Sequence, residues 1–329
     1  MPTGLGGELA TLDCFGLTRD FKLDPHLPLV NDYAGSILSC ISFKRTLSSI
    51  VPVFHFTCME KVMVTLTEND ICFFKTNGYL IKREVLDPQL MARTRNQMWD
   101  GRPESMDIDD PDTWVGPIKP EEESDDRHNY KKGFRWQSRK IGGESYMADL
   151  LPKNPSVRAM AEQLLGPDLV EPQRIRGIYN TLPYGNREIS ERPPGCHVDA
   201  HPFHLGVVGY IDFVPPGGGS FTVWPKSHRK FYYDFHSQYR IEATDQYEKD
   251  LTYFKEHGDY ADCHGGPGDI VFWHHRIGHT ASPNRSRQIR KAVLYDFCKT
   301  ELIRTQEEPP CENMWRDWSQ AIQDVAITD

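Results

Sequence analysis

His197 and Asp199, in the stretch GCHVDAH, are two metal-ligating residue types separated by one position. Two prolines and a glycine precede the pair, so a helix is disfavoured and the segment is expected to be extended. In an extended segment alternate side chains lie on the same face, so the imidazole and the carboxylate are directed at one point. This spacing predicts half of a metal site, with a third ligand from elsewhere in the chain.

A second histidine-x-aspartate triplet, His257 and Asp259, has a different context. It lies in a polar, glycine-rich stretch that is typical of a loop, where nothing restricts the geometry of the pair. His197 instead directly precedes a strand-like run, and several further strands follow it. Those strands are expected to fold back and bring a distant histidine to the first pair.

The predicted third ligand is His279, which follows the buried-strand pattern GDIVFW and precedes the turn residues SPN. Two imidazoles and one carboxylate form the facial triad that holds ferrous iron and leaves positions open for a bidentate ligand and dioxygen. Arg290 lies eleven residues later, where the next strand begins. If the bidentate ligand is 2-oxoglutarate, its distal carboxylate needs a planar, permanently charged partner, which Arg290 provides.

Short β-strands supported by helices are expected to position these residues. Capping residues followed by apolar stripes predict helices that begin after Thr67, Asp87 and Asn154. From about residue 169, short β-rich runs between glycine and proline clusters predict an antiparallel sandwich or barrel. Residues 100–145 lack periodicity, which predicts a long surface loop or lid.

The composition is that of a globular chain with one large core or two modest ones, since 38% of its 329 residues are hydrophobic and 26% are charged. The formal charge of −9 makes nucleic acid and anionic membranes unfavourable partners. No secretory signal and no run of about 20 apolar residues is recognisable, so a cytoplasmic location is expected. The eight cysteines contain no CxxC pair and are predicted to be reduced thiols.

The chain resembles the phytanoyl-CoA dioxygenase-like family of iron(II)- and 2-oxoglutarate-dependent oxygenases. The resemblance extends from about Leu66 to Phe297 and includes the opening LTENDICFFKTNGYLIKREVLDPQL, the histidine-x-aspartate pair, the segment WPKSHR and the ordered set GD, H, PN and R that ends at Arg290. It implies a mainly β fold with supporting helices, a double-stranded β-helix (a cupin-like jelly roll) with iron at its open end. The implied cofactors are Fe(II), 2-oxoglutarate and dioxygen, with ascorbate as a reductant.

Carried over to this sequence, the resemblance makes His197, Asp199 and His279 the iron ligands and Arg290 the partner of the 2-oxoglutarate carboxylate. The predicted reaction is hydroxylation of an unactivated C–H bond in a small molecule, with release of succinate and CO2. Because Asp199 supplies a carboxylate ligand, no coordination site is vacated for a halide, and hydroxylation is favoured over halogenation. Desaturation, epimerisation and cyclisation use the same iron and stay open.

Further cosubstrate contacts are implied by the same resemblance. Tyr210 falls where relatives often have an aromatic residue near the cosubstrate. Relatives commonly have a serine two residues after the distal histidine, whereas this chain has Ala281. Either Thr280 or Ser282 takes over that role, with Ser282 the predicted cosubstrate contact, or the cosubstrate pocket differs slightly from that of relatives.

The domain prediction is an N-terminal extension of unknown structure (residues 1–63), an oxygenase domain (64–310) and a C-terminal tail (311–329). Residues 100–145 and 228–262 are the expected substrate determinants, but they contain no motif that identifies a substrate. His274 and His275 are interpreted as structural or channel-lining residues rather than ligands, with His274 a candidate for supporting the site from behind the ligands.

Three alternatives have their own sequence signals. A zinc hydrolase is suggested by His197 and His201, but Pro194 and Pro202 leave no room for the helix that this motif needs. A non-catalytic or zinc-bound jelly-roll binding protein has the same ligand set. An oxidative demethylase of a macromolecule would use the basic and aromatic run RHNYKKGFRWQSRK, which is otherwise typical of a solvated loop.

Overall fold

The computed structural model describes residues 63–122, 133–138 and 140–327. Helices in this part of the chain are α1 (Glu68–Asn77), α2 (Pro88–Asp100), α3 (Ser145–Leu150), α4 (Pro155–Leu165), α5 (His228–Phe231), α6 (Asp245–Glu256), α7 (Leu302–Thr305) and α8 (Gln320–Asp324). Short 3-10 helices lie at Pro111–Trp114, Pro120–Glu122 and Ile141–Gly143. Over these same ranges, none of the helices combines the length and apolar character that crossing a membrane requires.

The strands are β1 (Tyr79–Lys82), β2 (Arg135–Ser138), β3 (Gly177–Thr181), β4 (Leu205–Tyr210), β5 (Phe221–Val223), β6 (Ala261–Cys263), β7 (Ile270–His274), β8 (His279–Ala281) and β9 (Arg290–Phe297). They form a six-stranded sheet in the order β1-β7-β4-β9-β3-β2 and a three-stranded sheet in the order β6-β5-β8. All pairings within both sheets are antiparallel. The predicted mainly β jelly-roll fold with supporting helices is confirmed.

Capping side chains begin the front helices where the sequence predicts. The Thr67 hydroxyl accepts a hydrogen bond from the Asp70 amide, and the Asp70 carboxylate accepts one from the Thr67 amide at 2.8 Å. This reciprocal pair satisfies two amides that a helix start leaves free. The Asp87 and Asn154 side chains cap α2 and α4 by accepting from two first-turn amides each, and each is followed by a proline in the first turn. α1 stops at Gly78, whose φ of 79° favours glycine.

The large sheet has an apolar core on each of its two faces. Val208 of β4 lies opposite Val271 of β7, and both pack with Phe221 of the small sheet in the core between the sheets. The neighbouring pair Val207 and Phe272 packs in the core between the large sheet and the helices. Because successive side chains alternate faces, one sheet supplies both layers. Arg290 and Tyr210 lie on the inner face, since Tyr210 pairs with the inner residue at position 292.

Residues 311–327, predicted as a C-terminal tail, pack against the helices. Trp315 and Trp318 are each 3% exposed, and their ring centroids lie 6.2 and 5.7 Å from that of Phe74 in α1. The Ser319 amide donates to the Leu164 carbonyl of α4 at 3.0 Å. The predicted N-terminal extension lies outside the described residues, apart from its last position.

One strand forms where the sequence predicts a loop. Residues 135–138 add β2 to the edge of the large sheet by pairing with β3, which buries Trp136 against Trp99 at a centroid distance of 6.3 Å. Phe134 stacks on Tyr184 at 3.9 Å. Burial of two aromatic rings is the driving force that local periodicity does not reveal. These rings of the basic and aromatic run are therefore occupied in packing, while Tyr130 lies outside the described residues.

The cysteines within the described residues are free thiols, as predicted. Cys196 is buried, and burial raises its thiol pKa to about 12. The thiol pKa of Cys263 is also raised by burial. Because the thiolate is the reactive form, both side chains behave as inert packing groups at neutral pH.

Four buried histidines cluster between β4, β7, α5 and the C-terminal segment: His204, His228, His274 and His275. The rings of His274 and His275 lie 4.4 Å apart, and those of His228 and His274 lie 5.3 Å apart. Each of the four has one ring nitrogen without a hydrogen-bond partner. Burial lowers the pKa of His204 and His228 to about 3 and that of the other two well below the usual value. All four are therefore neutral in the folded protein near pH 7.

His274 stacks on the indole of Trp318 at 5.1 Å with an interplanar angle of 12°. This contact ties β7 to the C-terminal segment. The structure therefore places His274 and His275 in the packing of the helical side, as the structural interpretation of the pair predicts.

Acid is expected to destabilise the fold through this cluster. The unfolded chain protonates His204 and His228 below about pH 6.5, whereas the folded chain leaves them neutral down to about pH 3. Each histidine therefore lowers the free energy of unfolding by about 1.4 kcal/mol per pH unit between those values. Urea denaturation at pH 7.5, 6.5 and 5.5 measures this slope. His228→Gln should reduce the slope, and His236→Gln, which changes an exposed histidine, should not; an equal slope in all three proteins would contradict the prediction.

Candidate metal centre

His197 and His279 are brought together by an antiparallel β-bridge. The His197 amide donates to the His279 carbonyl at 3.2 Å, and the His279 amide donates back to the His197 carbonyl at 2.9 Å. The bridge joins the extended segment before β4 to the start of β8, and it places the two ring centroids 4.6 Å apart. The fold-back that the sequence predicts for a distant histidine is thus present.

Asp199 completes a cluster of three ligand groups. One ligand atom from each of His197, Asp199 and His279 lies within 4.8 Å of the others, and this is the one such cluster among the described residues. Asp199 Oδ2 is buried without a hydrogen-bond partner and lies 3.5 Å from His279 Nε2. An orphaned buried carboxylate oxygen facing two imidazoles is the arrangement that a bound cation satisfies. The residues therefore fit an iron(II) ion, whose facial-triad ligand set they match.

Backbone carbonyls orient both imidazoles. Nδ1 of His197 lies 2.9 Å from the Gly195 carbonyl oxygen, and Nδ1 of His279 lies 3.0 Å from the Ile277 carbonyl oxygen. A carbonyl oxygen can only accept, so we assign the proton to Nδ1 in both rings. The lone pair of each Nε2 then remains available for a metal ion.

Electrostatics keep the ligand groups in their metal-binding forms. Burial lowers the pKa of His279 to about 4, against the opposing effect of Asp199. Burial alone would raise the pKa of Asp199, but His279 and Arg176 together hold it below the usual value. Near neutral pH the imidazole is therefore neutral and the carboxylate is ionised, as metal binding requires.

Arg290 is a buried cation without an acidic partner among the described residues. It is 3% exposed at the start of β9, and its Nε has no hydrogen-bond partner. Burial lowers its pKa, and Tyr210 offsets this only in part. A buried guanidinium in this state has a strong electrostatic preference for an anionic ligand.

Tyr210 is buried in the core between the two sheets, close to the metal centre. Its buried hydroxyl donates to the Cys263 carbonyl at 2.6 Å and accepts from the Phe221 amide at 3.0 Å. Phe221 in turn stacks on the His279 ring at 5.2 Å. Tyr210 therefore joins the two sheets behind the ligands, with its hydroxyl already occupied by backbone groups.

The structure does not bring Ser282 to this pocket. Its hydroxyl lies 2.7 Å from that of Thr222, on the face of the small sheet opposite to His279. Thr280 pairs with Thr222 and lies on that opposite face as well. A polar cavity of about 170 Å3 adjoins Ser282 there and is also lined by Tyr260.

Sequence reasoning missed three polar residues beside the ligands. Arg176 Nη1 lies 3.8 Å from Asp199 Oδ2 and 3.4 Å from Asp296 Oδ2, and His201 Nε2 lies 2.8 Å from Asp296 Oδ2. The sequence suggests only one role for His201, that of a zinc ligand in the zinc-hydrolase alternative. In the structure it is not part of the metal cluster. For Arg176 and Asp296 no local motif signals the role, because their meeting depends on the pairing of distant strands.

A cavity of about 340 Å3 opens beside the segment that carries Asp199 and His201. Ala200 and Pro202 line one side, and Arg240, Ile241 and Glu242 line the other. The second side belongs to the stretch 228–262, which the sequence predicts as a substrate determinant.

Comparisons with known proteins extend these observations. The profile of the family described as phytanoyl-CoA dioxygenase (PhyH) matches residues 74–292. No curated protein matches the chain in sequence.

Three solved structures resemble the chain at low identity. The carbocyclase SnoK from nogalamycin biosynthesis, described as non-haem and α-ketoglutarate dependent, is 17% identical with a TM-score of 0.49, over 76% of this chain and 95% of SnoK. The epimerase SnoN, in complex with Fe3+ and α-ketoglutarate, is 18% identical with a TM-score of 0.48, over 70% of this chain and 83% of SnoN. EctD from S. alaskensis with bound iron is 14% identical with a TM-score of 0.45, over 78% of this chain and 84% of EctD.

Tyr210→Phe is expected to destabilise the protein while leaving binding of 2-oxoglutarate within a few-fold of wild type. The change leaves the buried Cys263 carbonyl and Phe221 amide without a partner, which costs about 1–3 kcal/mol. Chemical denaturation and calorimetric titration of 2-oxoglutarate measure the two effects. Tyr253→Phe, at an exposed tyrosine, is the control. Wild-type stability combined with a large loss of 2-oxoglutarate affinity would instead mean that the hydroxyl contacts the cosubstrate.

Proposed function

Because the chain belongs to the phytanoyl-CoA dioxygenase family, we propose that it is an iron(II)- and 2-oxoglutarate-dependent dioxygenase that hydroxylates an unactivated C–H bond of a small molecule. One oxygen atom of O2 enters the substrate as a hydroxyl group. The other enters succinate, which forms from 2-oxoglutarate with loss of CO2.

The convergence of His197, Asp199 and His279 is the observation that most strongly supports this function. The three groups come from the segment before β4 and from β8 of the small sheet. Their donor set, two imidazoles and one carboxylate, suits iron(II) and leaves half of an octahedral shell for other ligands. Iron(II) with 2-oxoglutarate, when bound, supplies the oxidising power that activates dioxygen for C–H cleavage.

Arg290 binds and orients the cosubstrate. Its side chain lies on the inner face of β9, the same face of the large sheet as Tyr210. A carboxylate is the ligand that a buried, unpaired guanidinium favours most, and bidentate contact would fix the direction of the whole cosubstrate. Tyr210 contributes the aromatic wall of this pocket, while the sequence-based proposal for Ser282 has no support from its contacts.

Aromatic side chains exclude water from the inner side of the centre. Phe221 stacks on His279, and the Trp273 ring lies 6.0 Å from the same imidazole and 4.7 Å from Phe221. A Cβ at position 206 would lie 2.0 Å from the Trp273 ring, so only glycine there admits this indole. Such a wall directs oxidation toward a bound substrate rather than toward solvent.

The proposed substrate is a small molecule, and the stretch 228–262, which with Ala200 and Pro202 lines the 340 Å3 cavity, is its proposed determinant. This volume falls in the range of about 300–1,000 Å3 that is usual for small-molecule sites. Because Asp199 occupies the carboxylate position, a halide has no coordination site, and hydroxylation is favoured over halogenation. The formal charge of −9 disfavours a nucleic-acid substrate.

Succinate formation tests the proposal. Anaerobically purified protein is mixed with iron(II), ascorbate, 2-oxoglutarate and oxygen, and succinate is expected from the wild type but not from His197→Ala. Arg290→Ala should raise the 2-oxoglutarate concentration for half-maximal turnover by about 30-fold or more, since truncating one partner of a buried charge pair costs about 2–5 kcal/mol. Arg287→Ala, on the same hairpin but 81% exposed as a side chain, is the matched control and should behave as wild type.

Tight coupling to an absent substrate can suppress succinate formation in an intact oxygenase. Calorimetric titration of 2-oxoglutarate into the iron-loaded, anaerobic protein therefore accompanies the assay. Binding that depends on Arg290 supports the proposal without turnover. A protein that neither binds 2-oxoglutarate nor forms succinate contradicts it.

A further inference from the structure

Arg176 lies between two carboxylates at the edge of the metal centre. Its Nη1 is 3.4 Å from Asp296 Oδ2 and 3.8 Å from Asp199 Oδ2. The second distance is too long for a hydrogen bond, so the Asp199 oxygen is attracted to Arg176 without being bound by it. The same oxygen faces His279 and is the one that a metal ion would use.

Asp296 is itself held in place. Its Oδ2 receives the 2.8 Å contact from His201 Nε2, and the His201 ring stacks on the buried ring of Phe203 at 5.0 Å with an interplanar angle of 24°. Asp296 lies in the β4–β9 strand pair, opposite Gly206 of β4, so its backbone is fixed by the large sheet. A rigid carboxylate thus competes with Asp199 for the Arg176 guanidinium.

Asp199 lies midway in sequence between two anchored residues, His197 and His201. His197 is anchored by its backbone bridge to His279, and His201 is anchored by its contact with Asp296. The segment therefore has little freedom to withdraw from Arg176. Without a competing carboxylate, the guanidinium could close the remaining gap and form a bidentate pair with Asp199, which would occupy the metal-binding oxygen.

We propose that Asp296 is a positioning residue that holds Arg176 away from Asp199 and so keeps the Asp199 carboxylate available for iron. Arg176 remains close enough to Asp199 to favour its ionised form, but the Nη1 group of Arg176 is directed to Asp296. The arrangement gives Asp296 an effect on metal affinity although it does not contact the metal site. This inference rests on the proposed function, because it assumes that the triad binds iron.

Metal binding to the full-length protein tests the proposal without any turnover. Cobalt(II), a spectroscopic substitute for iron(II), is titrated into the metal-free protein. The dissociation constant and the ligand-field absorption of the bound cobalt are both recorded. Asp296→Asn is expected to weaken binding by about tenfold or more, the size of effect typical of groups that orient metal ligands. Asp296→Asn combined with Arg176→Met is expected to restore affinity to near wild type, because the competing guanidinium is gone.

One control and one backup variant separate a positioning effect of Asp296 from a general loss of structure. Asp212→Asn removes a carboxylate that pairs with Arg95 and Lys291 at 2.6 Å, away from the triad, and should leave cobalt affinity unchanged. Should Asp296→Asn not fold, His201→Phe removes the imidazole that holds Asp296, and its expected loss of affinity should again be reversed by Arg176→Met.

The outcomes distinguish this inference from the proposed function. Wild-type affinity in Asp296→Asn, or a double variant that binds no better than Asp296→Asn alone, overturns the positioning role while leaving the oxygenase proposal intact. A wild-type protein that binds no metal, or binds it equally well after His197→Ala, overturns both.

Discussion

The backbone bridge between His197 and His279 is the contact on which the rest of the site depends. It joins an irregular segment to the small sheet through two hydrogen bonds, and it places two imidazoles from distant parts of the chain side by side. Backbone hydrogen bonds fix these positions more narrowly than side-chain contacts alone would, because they do not depend on rotamers. Asp199 then reaches the same point simply by the alternation of an extended chain.

The interior of the barrel contains polar groups of two kinds. Tyr210, on the large sheet, is satisfied by two backbone partners on the small sheet and acts as a structural link between the sheets. Asp199 and Arg290 are buried with atoms that lack hydrogen-bond partners, which is costly for charged groups and uncommon in a pure packing role. Unsatisfied charge at these two positions, one anionic and one cationic, is what a cation and a dicarboxylate would neutralise.

The helical side of the molecule supports the site indirectly. Trp318 from the C-terminal segment stacks on His274 at the end of β7, and the strand β8 that carries His279 follows shortly after. The buried, neutral histidines in this layer behave as polar packing residues whose stability contribution depends on pH. The same residue type therefore forms part of the candidate metal centre on one side of the large sheet and packs as a neutral group on the other, according to its environment.

Local signals in the sequence determined the helix starts at Thr67, Asp87 and Asn154, the strand-rich second half, and the grouping of His197 with Asp199, because caps and alternation act over a few residues. The choice of His279 and Arg290 needed strand patterns together with the family resemblance. Tertiary structure alone decided that Ser282 faces away from His279 and that Trp136 lies in an edge strand. It also decided that Arg176, His201 and Asp296 meet beside Asp199, because strand register between distant segments sets those contacts and no local spacing encodes it.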